Sequence, residues 1–139
     1  MTHTGGNDHG SIRKDFPGGW EGDRISARTG QGLSAAEKDM QEFFKTLLTW
    51  RKSNPEVHTG RLTHFRPENA VYVYFRHNLD KKVMVILNKN RKDQELELER
   101  FSEIIRDSSG ARDILSGRQF ELGGTITIPA LTPMILELD

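Results

Sequence analysis

A chain of 139 residues has room for one domain with a sizeable core, or for one domain plus a piece of another. Its 20 basic and 20 acidic side chains cancel to a formal charge of zero, so no basic surplus draws it to nucleic acid or to an anionic membrane. The absence of cysteine excludes disulfides, thiol nucleophiles and thiolate metal sites, and the longest apolar run, Val83 to Leu87, falls far short of the roughly 20 residues that span a bilayer.

Residues 1–33 are rich in glycine and charge and carry no sustained period. A structureless stretch of this length is uncommon inside a compact domain, which favours a solvated tail. Phe16, Pro17 and Trp20 in "DFPGGW" argue the other way, because solvated linkers avoid aromatic residues. Tail and organised loop both stand open. The polar start also lacks the apolar stretch of a signal peptide, and the chain reads as soluble.

The spacing predicts one amphipathic helix over Ser34–Ser53, "SAAEKDMQEFFKTLLTWRKS". Ser34 and Glu37 match a capping box, in which each side chain accepts a hydrogen bond from the other residue's backbone N–H. Behind it Ala36, Met40, Phe43, Phe44, Leu47 and Leu48 fall at three- and four-residue steps and form an apolar stripe. The helix should stop near Asn54, because Pro55 pushes the residue before it out of the helical region.

From Glu56 onward the period shifts towards 2, the mark of strands. "AVYVYFRH" sets Val71, Val73 and Phe75 against Tyr72, Tyr74 and Arg76; "KKVMVILN" is apolar on both faces at its centre; "QELELER", "TITIP" and "MILELD" alternate. Turn chemistry separates them at Asn78-Leu79-Asp80, Asn88 to Asp93, Ser116-Gly117 and Gly123-Gly124. "RFSEIIRD", from Arg100 to Asp107, reads as a turn of helix or an irregular crossover. Short antiparallel strands at this spacing predict a mainly β fold, an antiparallel β-sandwich with hairpin and Greek-key links.

The order of glycine-rich loop, single helix and all-β module ending in "LTPMILEL" resembles the C-terminal part of an α-amylase-type glycoside hydrolase of family 13, in the neopullulanase and cyclomaltodextrinase group. "GGND" at Gly5 to Asp8, with an arginine shortly after, and "DFPGGW" at Asp15 to Trp20 are similar to that group's loop. Arg13 stands one residue farther from Asp8 than in the family's usual loop. The resemblance implies that residues 1–54 are a remnant of a (β/α)8 barrel, with its last loop at 1–33 and its last helix at 34–53, and that residues 55–139 are the C-terminal sandwich called domain C. It further implies that Asp8 and Arg13 contact a glucose unit of starch, pullulan or maltodextrin in the full-length parent. Barrel loops at this end build the active-site mouth. Phe16 or Trp20 either stacks on a pyranose or packs the loop onto the barrel rim, the second reading being preferred.

The catalytic carboxylates of this chemistry sit about 5 Å apart in the retaining route, and the resemblance puts them upstream of this chain. No catalytic residue, cofactor or metal site is therefore expected. Asn7-Asp8-His9 has the wrong order for the family's signature, and a metal site from His3, Asp8 and His9 lacks a familiar spacing. No glycine-lysine-serine/threonine ending completes a phosphate loop at "GGNDHGSIRK". His58, His64 and His77 fall on different predicted strands, and Glu95, Glu97 and Glu99 read as one solvated row. The expected role is a non-catalytic support for the barrel. Two rivals stand beside it: a free-standing carbohydrate-binding sandwich with Tyr72 and Tyr74 as its platform, and a protein–protein interaction module that docks or self-associates through the helix stripe. The parent's compartment stays open between periplasm, secretion and cytoplasm.

Overall fold

The computed structural model describes residues 15–139. The described residues fall into two compact units, one ending at Lys45 and the other running Thr46–Asp139.

Helix α1 runs Ala35–Lys52, and its start is the expected capping box. The Ser34 N–H donates to Glu37 Oε2 at 2.9 Å and the Glu37 N–H donates to Ser34 Oγ at 3.4 Å. The Ser34 hydroxyl, which donates to Glu37 Oε2 at 2.7 Å, and then the Ser34 N–H hold the Glu37 carboxyl below its ordinary pKa. None of the side chains of α1 is buried, and Met40, Phe44 and Leu48 are exposed along its stripe. Phe43 meets Phe44 edge to face at 5.7 Å.

Strand structure does not begin at Glu56 as the period had implied. A short helical turn, α2 (Glu56–Thr59), comes first. Pro55 sits in the helical region at φ −62° and ψ −26°, and the angle that its ring enforces suits the start of a turn. Gly60 then turns the chain into β1; a Cβ there would lie 2.3 Å from the Glu56 carbonyl oxygen and 2.8 Å from that of His77. Only glycine lets the backbones approach so closely.

Eight strands follow: β1 (Arg61–His64), β2 (Val71–His77), β3 (Lys82–Asn88), β4 (Gln94–Glu97), β5 (Gly110–Asp113), β6 (Gln119–Glu121), β7 (Thr125–Ile128) and β8 (Pro133–Leu138). Six of them form one sheet in the order β1-β2-β3-β8-β5-β6, and β4 pairs with β7 in a second. All pairings are antiparallel. Between β4 and β5 the ambiguous stretch is helical, a 3-10 turn at Leu98–Phe101 followed by α3 (Ser102–Ile105).

The main core lies between the sheets. Val73, Phe75, Met84, Ile86 and Leu136 of the large sheet meet Ile126 and Ile128 of β7, and Leu98, Phe101 and Ile105 of the helical crossover close the same cluster. Phe65 packs edge to face with Phe75 at 5.8 Å and with Phe101 at 4.8 Å, the arrangement ring quadrupoles favour. The opposite face of the large sheet carries a second cluster, Val83, Val85 and Ile135, with Leu47 and Trp50 of α1, Val57 of α2 and Tyr74 packed on it. "KKVMVILN" is apolar on both sides because β3 is a central strand covered on both faces.

Buried polar groups stitch this arrangement together. Asn88 Nδ2 donates to the carbonyl oxygens of Ile128, at 3.3 Å, and Pro129, at 3.0 Å, while its Oδ1 accepts from the Asn90 N–H at 2.8 Å. One side chain thereby links the end of β3 to the end of β7. Asp113 accepts from the Ile135 N–H and the Ser116 N–H, both at 3.0 Å. Two groups depart from this: Arg76 Nε is buried without a hydrogen-bond partner among the described residues, and Glu56 is 1% exposed with neither carboxyl oxygen partnered there.

Candidate functional site

Asp8 and Arg13, the two residues expected to contact sugar, lie outside the described residues, as do His3, Asn7 and His9. The loop that carried them is described from Asp15 onward, and from there to Leu33 it is built of successive turns. Asp23 organises its first part. Its Oδ2 accepts from the Gly18 N–H at 2.9 Å and from the Trp20 N–H at 3.1 Å. A carboxylate accepting two backbone donors is a strong local clamp, because charge-assisted hydrogen bonds exceed neutral ones.

The second part of the loop closes back on the first. The Ala27 N–H donates to the Pro17 oxygen at 2.9 Å, the Ser26 N–H to the Gln31 oxygen at 2.9 Å and the Gly30 N–H to the Ser26 oxygen at 2.9 Å. Gln41 of α1 donates its amide to the Ala27 oxygen. Gly18, at φ +87°, is required at the crossing: a Cβ on it would lie 2.8 Å from Ser26 Cα. Over the described residues 15–33, backbone donors and acceptors are paired as in an organised loop, one of the two readings that the composition left open.

This loop shapes a hollow of about 310 Å³ lined by Asp15, Phe16, Trp20, Asp23, Arg24 and Ile25 among others. Trp20 is 71% exposed and Phe16 64%. Sequence reasoning singled out the two rings but missed Asp23, Arg24 and Asp15 as their polar company. The signal for Asp23 was its place three residues after Trp20 in a glycine-rich stretch, where a short carboxylate readily bonds nearby backbone N–H groups.

A second aromatic group lies on the large sheet. Tyr72 and Tyr74 share the face opposite Phe75, as the alternation predicted, with ring centroids 5.6 Å apart. Both are half-buried, and His64 of β1 meets Tyr72 edge to face at 6.4 Å. Burial, and then the neighbouring Tyr72, raise the Tyr74 hydroxyl above its ordinary pKa. Tyr74 belongs to the packing under α1.

The other expected candidates are dispersed. His58 lies on α2 rather than on a strand, its Nε2 2.9 Å from the Arg51 oxygen. His77 ends β2, its Nε2 3.0 Å from Thr63 Oγ1, and burial followed by Arg61 and Lys82 depresses its pKa. Glu95 and Glu97 are exposed on β4, whereas Glu99 has moved into the 3-10 turn. Among the described residues no group of three His, Cys, Asp or Glu is placed to hold a metal ion, and no helix is long and apolar enough to cross a membrane.

Comparison with known proteins adds the following. The family model of the cyclo-malto-dextrinase C-terminal domain matches residues 62–137. The amylopullulanase of Thermoanaerobacterium saccharolyticum is 26% identical, over 72% of this chain and 9% of that protein. Among solved structures, AmyP in complex with maltose is similar with a TM-score of 0.67 at 19% identity, over 83% of this chain and 25% of that one. An Anoxybacillus α-amylase is similar at 0.64 and 16%, over 73% of this chain and 22% of that one. The chain thus spans less than a tenth of the curated relative's length and no more than a quarter of these structures, and identities so low carry the fold alone.

Proposed function

Because the chain belongs to the cyclo-malto-dextrinase C-terminal domain family, we propose that it serves as the non-catalytic C-terminal region of a family 13 α-glucan hydrolase. In this reading residues 1–54 are the last loop and helix of a (β/α)8 barrel, and residues 55–139 are the domain that covers them. The returning strand β8, inserted between β3 and β5, supports the Greek-key connection. Asp8 and Arg13 would meet a glucose unit of the substrate through fixed pairs of acceptors and donors. The nucleophile and acid carboxylates, about 5 Å apart, would come from the barrel strands.

The observation that carries the proposal is the helix. Leu47 and Trp50 of its last turns pack on the sheet, while Met40, Phe44 and Leu48 stay exposed, at 56%, 51% and 58%. A stripe half docked and half open is what a barrel helix shows when only one of its two neighbours is present. Each such side chain gains roughly 1.5–3 kcal/mol on full burial, so the open half should be covered by barrel strands in the parent or by a second copy of this chain on its own.

The reading frame upstream tests the assignment directly: it should encode barrel strands bearing two catalytic carboxylates, and a frame without them overturns it. The chain alone should release no reducing ends from maltoheptaose; steady release would equally refute a non-catalytic role. Sedimentation should show self-association that weakens when Met40, Phe44 and Leu48 are replaced by serine. A chain that stays monomeric at high concentration removes the self-association partner.

A further inference from the structure

We propose that Arg61, His77 and Lys82 form a binding site for a tetrahedral oxyanion, a sulfate or a phosphate group that is either free or carried on a small ester. The site does not depend on the α-glucan reading. The strand register sets Arg61 of β1 opposite His77 of β2, and His77 opposite Lys82 of β3. Residues directly opposite one another share a face of the sheet, with neighbouring strands about 4.8 Å apart. Three basic side chains therefore stand in one row. Like charges so placed repel, and an acid at any of the three positions would relieve the row. An anion can do the same from outside, and the guanidinium fork of Arg61 matches the oxygens of a tetrahedral oxyanion.

The surroundings leave that repulsion largely open. Asp107, beside the helical crossover, lies 3.8 Å from Lys82 Nζ but is itself 82% exposed, and Arg61 enters no ion pair among the described residues. His77 Nε2 is engaged by Thr63 Oγ1 of β1 at 3.0 Å, while its Nδ1 has no hydrogen-bond partner among the described residues. His77 and Lys82 are half-buried, and charges partly withdrawn from water act more strongly on one another and on an incoming ion. The effect is visible at His77, where burial and then Arg61 and Lys82 hold the imidazole below its ordinary pKa. A dianion in the row would oppose the two cationic contributions. Polypeptide that covers the open stripe of α1 does not explain the row, which lies on the other side of the sheet. Phe75 and Met84, the next residues on its face, belong to the main core, whereas Leu47 and Trp50 of α1 pack on the opposite face.

The test follows the imidazole signals of the whole chain by NMR as pH is varied, in sodium sulfate and in sodium chloride of matched ionic strength. Sulfate should raise the His77 pKa by about one unit more than chloride does, because a bound dianion favours the imidazolium. His58 on α2 and His64, which shares the opposite face with Tyr74, should respond equally to both salts. By reciprocity, one unit corresponds to roughly tenfold tighter sulfate binding below the His77 pKa than above it, which calorimetry at two pH values reads independently. In Arg61→Ala, a change at an exposed position, the pKa in chloride should rise while the extra rise in sulfate shrinks. The extra rise should vanish when Lys82→Ala is added. Inorganic phosphate and methyl phosphate should each displace sulfate, and the one that does so at lower concentration identifies free ion or ester as the source. No extra rise in sulfate, an equal extra rise at His58 and His64, or an undiminished one in Arg61→Ala overturns the proposal. So does acetate acting as strongly as sulfate at matched ionic strength, since a planar monoanion would then serve as well.

Discussion

Trp50 Nε1 donates a hydrogen bond to Glu137 Oε1, joining the last turn of α1 to the central strand β8 across 87 residues of chain. The indole body packs on Val83, Val85 and Ile135 while its polar edge finds a carboxylate, the usual division of labour for a tryptophan at the margin of a core. The pair therefore sets how the end of the helix meets the sheet. Glu137→Ala removes an ionised acceptor and should cost about 1.5–3 kcal/mol in urea unfolding. The double variant with Trp50→Phe should cost less than the two single losses added together. Strict additivity would show that the bond contributes nothing.

Asn88 carries a different kind of risk. Its amide satisfies the Ile128 and Pro129 oxygens at the end of β7 and, through Oδ1, the Asn90 N–H. Asn88→Ala would leave several polar groups without partners in a site only 5% exposed, each worth about 1–3 kcal/mol when stranded. The urea midpoint should fall more than for Asn90→Ala. An unchanged midpoint would mean that the two sheets are held together by apolar contact alone.

Glu56 points to a stabilising change. A carboxyl group 1% exposed and without a hydrogen-bond partner among the described residues leaves two polar atoms buried and unsatisfied. Glu56→Met preserves length and removes those atoms, and it should raise the melting temperature by an amount matching about 1–3 kcal/mol. A lowered melting temperature would show that the carboxylate has an interaction of its own to lose.

Acid should loosen the end of β8. Asp139 accepts from the Ser109 N–H at 2.9 Å, the Gly110 N–H at 2.8 Å and Ser109 Oγ at 3.0 Å. The Gly110 bond first, and then the Ser109 bonds, outweigh an opposing desolvation and hold its carboxyl below the ordinary aspartate pKa. A pKa lower in the folded state means that the clasp is fully present above the ordinary value, about 3.9, and is lost as pH falls below it through the folded pKa. Amide shifts of Ser109 and Gly110 should move together over that acidic range and stay flat in Asp139→Asn. A transition near neutral pH would contradict the sign of the shift.

The capping box of Ser34 and Glu37, the apolar stripe behind it, the alternation of β2 and the doubled apolar character of β3 were all legible from residue order. Each follows from a period or a bond confined to a few neighbouring residues. The helical turn at Glu56–Thr59 was hidden because four residues are too few to display a period of 3.6, and Pro55, which ends one helix, also opens the next turn. Asp23 was not recognised as the clamp of the loop because its partners, Gly18 and Trp20, are backbone donors that any sequence possesses.

Amino-acid order by itself decided the helix α1, the strands β2, β3, β4, β7 and β8 and the apolar faces of the alternating ones, since those properties arise from side chains a few positions apart. The placement of β8 between β3 and β5, the meeting of Trp50 with Glu137 and the enclosure of Glu56 were decided only by the tertiary structure. They join residues from about 20 to 87 positions apart, and closing such long loops is repaid only by the packing of the complete core.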